Sequence, residues 1–278
     1  MSENISIANE HKPDVISIRE SDGSIVKLEV HDTLRSTTRT AREYAAAGYP
    51  DRYAVFSRRK VKKIPKGEGK EQMTETQNGV FLSILLRPSL FPSQASLLGA
   101  LAGTALITAL DEHTDQHLGI GWVSDIYCNG ERIGNASVEG KLDSFNSYEY
   151  IIVSFAVKTD QKNFPPRLTD MMRKVFESEN TSIEMIIARS IINKFFKFYP
   201  SLKVDPKFMN LYSRRFILRG KRVKLQTDQK RIRCKILNVE TKTGALVLEK
   251  RGGEIIHATS PKQVSLPKRV RVRKGSQD

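Results

Sequence analysis

Cysteine is scarce in this chain of 278 residues: Cys128 and Cys234 are the only two. They fall in different parts of the sequence, so no disulfide framework is implied and a reducing compartment fits. No apolar run reaches the roughly 20 residues a bilayer-spanning helix needs. The longest candidate, LLGALAGTALITAL from Leu97, is short and flanked by polar residues. The N-terminus, MSENISIANEHKPD, lacks an apolar core and carries acids early, which excludes a secretory signal and argues against a mitochondrial leader. A cytoplasmic protein without a membrane partner is expected. Acids are also few: 31 Asp+Glu against 46 Lys+Arg give a formal charge of +15. That surplus favours nucleic acid, an anionic surface or an acidic protein. It fits a soluble basic protein equally well, because net charge bears on association rather than fold. Metal-ligand spacing is missing too. His113 and His117 stand four apart after Asp111-Glu112, but there is no third ligand and no HExxH, so helix-end charges explain them and no metal site is expected.

What is present reads as a globular α+β protein. The hydrophobic share of 39% and charged share of 28% permit a sizeable core, and the length suits one large domain and a small one. After a disordered start over residues 1–13, Val15–Arg19 and Ile25–Val30 form a hairpin around Ser21-Asp22-Gly23-Ser24. Leu34–Ala47 is a helix with Ser36 or Thr37 as N-cap and Gly48 as its αL stop; Arg39, Arg42 and Glu43 face solvent. Tyr53–Ser57 is a short strand. Residues 58–78, RRKVKKIPKGEGKEQMTETQN, read as a long polar loop of the functional or disordered kind. Val80–Arg87 is a buried strand, and Ser93–Leu110 a helix whose glycines permit close packing on the sheet. Leu118–Glu139 reads as two strands joined at Asn129-Gly130, the strongest turn signal in the chain. Tyr148–Val157 is another strand. Thr169–Phe176 and Ser182–Tyr199 are helices, the second with a core-facing apolar stripe. Pro200 and Pro206 mark a boundary. Four short runs then follow, 222–226, 231–239, 245–249 and 254–258, and spell a small β-barrel. The tail, PKRVRVRKGSQD, is a solvated end or a polyanion-binding arm.

A lone Trp122, then Asp125 two residues before Tyr127, then Arg132-Ile133-Gly134 beyond the turn resembles the central hairpin of biotin protein ligases. That family carries Lys-Trp-Pro-Asn-Asp on the first strand, where this chain has Gly121-Trp122-Val123-Ser124-Asp125. On the return strand it has a Lys, an aliphatic residue and small residues. Ser36-Thr37-Thr38 resembles the family's Ser-Thr-Asn, whose hydroxyls face the ureido ring of biotin. Lys60 matches a Gln. Lys66-Gly67-Glu68-Gly69-Lys70 sits where a Gly-Arg-rich loop closes over biotinyl-adenylate. Val153 and Phe155 are placed at two family glycines and Val157 at an Asn. Arg219–Val223 and Gly244–Leu248 resemble the C-terminal domain. No lipoate-ligase Arg-Arg-x-Gly-Gly-Gly run and no helix-turn-helix pattern is found.

The resemblance spans residues 34–266. It implies a mixed sheet like that of class II aminoacyl-tRNA synthetases, over 14–205, then an SH3-like barrel over 206–266. It also implies ATP-dependent attachment of biotin to a lysine of an acidic carboxylase carrier domain, through biotinyl-5′-AMP, with biotin and magnesium ATP as small-molecule partners. Ser36 and Thr37 would contact biotin, while Lys60, Lys66, Gly67, Gly69 and Lys70 would line the nucleotide side. Trp122, Asp125 and Gly134 would frame the site, Asp125 holding magnesium or orienting the hairpin. Arg132 would stand in for the catalytic Lys. The replaced motif residues leave a second reading open: a protein that kept the fold, lost the reaction and binds RNA, a ribonucleoprotein or another acidic partner. Oligomeric state stays open, a homodimer included.

Overall fold

The computed structural model describes residues 13–20, 22–64, 73–90, 92–159, 182–227 and 230–266. Two sheets organise them. The first has eight strands: β1 (Asp14–Arg19), β2 (Ile25–Leu34), β3 (Tyr53–Ile64), β4 (Met73–Leu86), β5 (Leu118–Ile120), β6 (Asp125–Cys128), β7 (Glu131–Leu142) and β8 (Tyr148–Lys158). Their order is β1-β2-β3-β4-β8-β7-β6-β5. Only β2 and β3 run parallel among these neighbours. Their crossover is α1 (Thr37–Ala46), since a parallel pair cannot be joined by a tight turn. The second sheet is antiparallel: β9 (Arg222–Gln226), β10 (Arg231–Val239), β11 (Leu246–Lys250), β12 (Ile255–Ala258) and β13 (Val264–Ser265), ordered β12-β11-β10-β9-β13. The remaining helices are α2 (Pro92–Ala95), α3 (Leu98–Asp111), α4 (Ile183–Phe198), α5 (Ser201–Val204) and α6 (Phe208–Arg215). None is long and apolar enough to cross a membrane.

Period-two alternation puts the central strands to work on both faces. On one face Phe56, Leu82, Ile84, Val153 and Phe155 join α3 and α4 in the main core. Phe155 meets Phe195 of α4 edge to face, centroids 6.1 Å apart. On the other face Val55, Leu85 and Ile152 pack under Ala41 and Ala45 of α1. The chain is therefore layered: α1, sheet, then α3 and α4. Helix α3 comes close to the 121–124 turn because it carries glycine there; a Cβ on Gly103 would stand 3.0 Å from Ser124 Cα.

Three expectations change. Residues 58–78 are not one long loop. β3 continues to Ile64 and pairs with β4 from Arg59↔Asn78 to Ile64↔Met73 after a bulge at 57–59, so most of the polar stretch is a hairpin arm. A run rich in polar and charged residues suits a paired arm as well as a loop, so composition does not tell them apart. The stretch before Asn129-Gly130 is not one strand either. β5 and β6 pair with each other, Ile120 opposite Ile126, around a turn at 121–124. Apolar Trp122 and Val123 disguise that turn. Asn129 and Gly130 do take positive φ, 50° and 87°, between β6 and β7. The third change concerns β8 and appears with the site. The helix expected over 169–176 lies outside the described residues.

Candidate functional site

A cleft of about 220 Å³ opens where the N-terminus of α1 meets the middle of the large sheet. Ser36 caps α1, its hydroxyl accepting from the Arg39 amide at 3.2 Å. Thr37 and Thr38 follow on the first turn, where amides lack intrahelical partners and the dipole favours an acceptor or anion.

Beneath them the strands present small side chains in register. Ser83 of β4 faces Ser154 of β8, and Ser154 faces Ser137 of β7. In the next row Phe81, Ala156 and Asn135 stand side by side, with Asp125 of β6 beyond Asn135. The hydroxyls form a relay. Thr38 Oγ1 donates to Ser154 Oγ at 2.8 Å, Ser154 and Ser83 lie 2.9 Å apart, and Ser83 Oγ donates to Thr37 Oγ1 at 2.9 Å. If the Ser154 hydroxyl donates to Ser83, the spare O–H at the end of the relay is that of Thr37, and Thr38 and Ser154 offer lone pairs. Ser83 is sealed from solvent and Thr37 and Ser154 are buried, so the relay is preorganised rather than mobile.

At the outer end Arg59 and Lys60 of β3 line the cleft. Arg59 pairs with Asp32. Lys60 Nζ lies 6.0 Å from the Phe81 ring centroid, within cation–π range. The cleft is small and lined largely by hydroxyls, with two cations at one end, and suits a compact ligand with both donors and acceptors and an anionic extension.

No family model matches this sequence. The chain is 25% identical over 162 residues to the bifunctional ligase/repressor BirA of Bacillus subtilis, covering 56% of this chain and 48% of that protein. It thus spans about half the length of the curated relatives it matches. A structure of biotin protein ligase from Aquifex aeolicus in complex with biotin and ATP superposes with a TM-score of 0.59 at 17% identity, over 86% of this chain and 97% of the other. A biotin protein ligase-like protein of unknown function from Silicibacter sp. superposes with a TM-score of 0.57 at 10% identity, over 84% and 93%. The fold is that of the biotin protein ligases, and the sequence relation to BirA supports a place in their superfamily.

Within this ligase fold the sequence-derived residues separate into two groups. Ser36, Thr37 and Lys60 come together in the cleft, joined by Thr38. The hairpin residues stand outside its lining. Arg132 Nη1 holds Asp125 Oδ1 at 3.1 Å, and its side chain is half exposed. Gly134 faces away from Asn135, and a Cβ there would stand 2.9 Å from the Ala156 carbonyl oxygen. Trp122 is buried and turned elsewhere, its Nε1 donating to the carbonyl of Gly244, just ahead of β11, at 3.0 Å. It is a joint between the two sheets. Lys66, Gly67, Gly69 and Lys70 lie outside the described residues.

The third correction belongs to β8. Val153, Phe155 and Val157 were set at the family's glycines and Asn, where they would fill the cleft. Their side chains instead point into the core on the opposite face. A one-residue slip moves every side chain across the sheet. Ser154, Phe155 and Ala156 line the cleft; the two small residues share its face of the sheet, while Phe155 is buried in the main core. Sequence reasoning missed these two along with Ser83, Ser137 and Asn135. The available signal was a single serine interrupting each apolar run, in VFLSILL and YIIVSFAV.

Proposed function

We propose that this chain is a biotin–protein ligase, attaching biotin through biotinyl-5′-adenylate to a lysine of an acidic carrier domain. The supporting observation is the slot of Ser36, Thr37 and Thr38 over a cross-strand row of serines, Ser83, Ser154 and Ser137, with Phe81, Ala156 and Asn135 in the next row. The cleft is below the roughly 300–1,000 Å³ of drug-sized sites, so it takes a compact bicyclic head and leaves the nucleotide beyond Lys60 and Asn135. Thr37 donates to the ureido oxygen. The lone pairs of Thr38 and Ser154 accept from the ureido N–H groups.

The biotin carboxylate then attacks the α-phosphorus of ATP and pyrophosphate leaves. Lys60 steadies the phosphoryl charge, as do Lys66 and Lys70 by resemblance, with Gly67 and Gly69 letting backbone approach. The acceptor lysine amine attacks the mixed anhydride and AMP leaves. Arg132 steadies the charge on the transferring carbonyl once it exchanges Asp125 for substrate. Its ion pair is solvent-exposed, and such pairs contribute only about 0–1 kcal/mol, so the exchange is cheap. Asp125 orients Arg132 in the resting state. In this reading the large sheet is of the class II synthetase kind and the second sheet an SH3-like barrel, divided near residue 206.

The test is to incubate the purified chain with biotin and magnesium ATP and look for biotinyl-5′-AMP by mass spectrometry, with calorimetry and thermal shift alongside. Adenylate forms, and Ser154→Val weakens biotin binding at least about tenfold by filling the slot and cutting the relay, a loss of about 1.4 kcal/mol or more. If the wild type gives no adenylate, no heat and no thermal shift, the reaction has been lost and the fold serves binding alone.

A further inference from the structure

The exposed face of the second sheet places cations against cations. Along β9, exposed Arg222 and Lys224 alternate with buried Val223 and Leu225. Along β10, Arg231, Arg233 and Lys235 are exposed. The register sets Arg222 opposite Lys235 and Lys224 opposite Arg233. Like charges directly opposed on one face destabilise a ladder, so folding gains nothing from this arrangement. A cleft of about 630 Å³ opens beside it, lined by Arg222, Arg233, Lys235, Lys250 and Arg251 with Glu249 as its carboxylate. Glu249 is 4.0 Å from Lys235, and Lys250 is paired with Glu254 at 2.7 Å. Among the described residues no carboxylate lies within ion-pairing distance of Arg222, Lys224, Arg233 or Arg251.

We propose that this face binds a single polynucleotide strand by its phosphates. Side chains two residues apart on a strand stand about 6.7 Å apart, and neighbouring strands lie about 4.8 Å apart. The cations therefore form a narrow periodic track. A repeating phosphodiester, with one charge per nucleotide, matches that period. A duplex presents two backbones across a groove about 6 or 12 Å wide, broader than a two-strand track. Guanidinium forks of Arg222 and Arg233 take phosphate oxygens in pairs. β9 and β10 carry no aromatic residue, so bases find no stacking platform and binding is indifferent to sequence. The chain's +15 charge adds long-range attraction. This role is separate from the α1 cleft and does not depend on ligase chemistry.

The experiment follows anisotropy of a fluorescein-labelled oligouridylate of about 20 nucleotides with the full chain, between about 50 and 200 mM salt. Five phosphate contacts predict a log–log salt slope of roughly −3.5. Lys224→Gln with Arg233→Gln removes two contacts. It makes the slope shallower by about 1.4 and weakens binding at least about tenfold. The charge-matched control, Lys203→Gln with Lys207→Gln, changes binding less than about twofold. Removing opposed like charges leaves the melting temperature equal or higher; Arg222→Gln serves as a second variant should the double one melt early. The proposal is overturned if the wild type fails to bind, if the double variant binds as the wild type does, or if the control loses as much. It is also overturned if polyglutamate of equal length competes as well as unlabelled oligouridylate, which would make the partner an acidic protein, or if a duplex of that length binds tighter.

Discussion

Glu29 shows how one residue ties its surroundings to pH. It is buried on β2, accepting from Tyr44 Oη at 2.6 Å and Tyr53 Oη at 2.8 Å, with His31 Nε2 at 2.6 Å. Burial alone would raise its pKa, but the three hydrogen bonds outweigh burial and hold the carboxyl below the usual range. A carboxyl with a lowered folded-state pKa contributes stability above its unfolded value, lost as pH falls through the folded value. Glu29→Gln therefore exchanges charge-assisted bonds for neutral ones, costing about 1–2 kcal/mol at neutral pH. It also flattens the acid limb of the stability curve. Urea titrations between about pH 7 and pH 3 measure both; an unchanged limb in the variant would assign the acid sensitivity elsewhere. Nothing in the sequence singled out Glu29. In IVKLEV it sits where alternation is already ambiguous, and its two tyrosine partners lie 15 and 24 residues away.

At the level of elements, boundaries were legible where the chain carries local chemistry. Ser36 caps α1, Gly48 follows it at φ 80°, and Asn129-Gly130 turns β6 into β7. The β9 and β10 strands fall on the expected residues because exposed and buried positions alternate. Register on β8 was not legible. Ile151–Phe155 is buried on both faces, so hydrophobicity has no period to read. Only the partners decide it: Ser154 is fixed by Ser83 on one side and Ser137 on the other. Close approach between elements is equally silent in sequence. A Cβ on Gly79 would stand 2.2 Å from the Val157 carbonyl oxygen, a backbone atom that cannot rotate away. Gly79→Ala thus pushes β4 off β8 at the base of the β3–β4 arm and costs about 1–3 kcal/mol. Thermal unfolding checks this; a melt unchanged within error would mean the arm yields freely.

Across the whole molecule, the two sheets are held as one body. Their apolar faces share a single core that includes Ile120, Phe216, Leu218, Val223 and Ile236. Trp122 Nε1 reaches the Gly244 carbonyl at 3.0 Å, and Tyr212, fully buried, donates to the Val123 carbonyl at 2.8 Å. Trp122→Phe keeps most of the apolar volume but drops one hydrogen bond and leaves a half-buried carbonyl without it, costing about 1 kcal/mol. Amide exchange in β11, which follows Gly244, then quickens relative to β3 and β4. Equal quickening everywhere would mean the joint has no local role.

By itself the sequence determined most of the helices and strands, the Ser36 cap, the Asn129-Gly130 turn, the basic character of the chain and a resemblance to the biotin protein ligases; the β3–β4 arm and the 121–124 turn it did not. What it determined follows from interactions between residues a few positions apart, or from composition. Tertiary structure alone decided which face of β8 meets the cleft, that Trp122 serves the joint, and that Arg222 and Lys224 stand against Lys235 and Arg233. Each of these is a choice between two sides of a strand or two neighbours of a side chain. Neighbouring strands and helices make that choice when they close over the core.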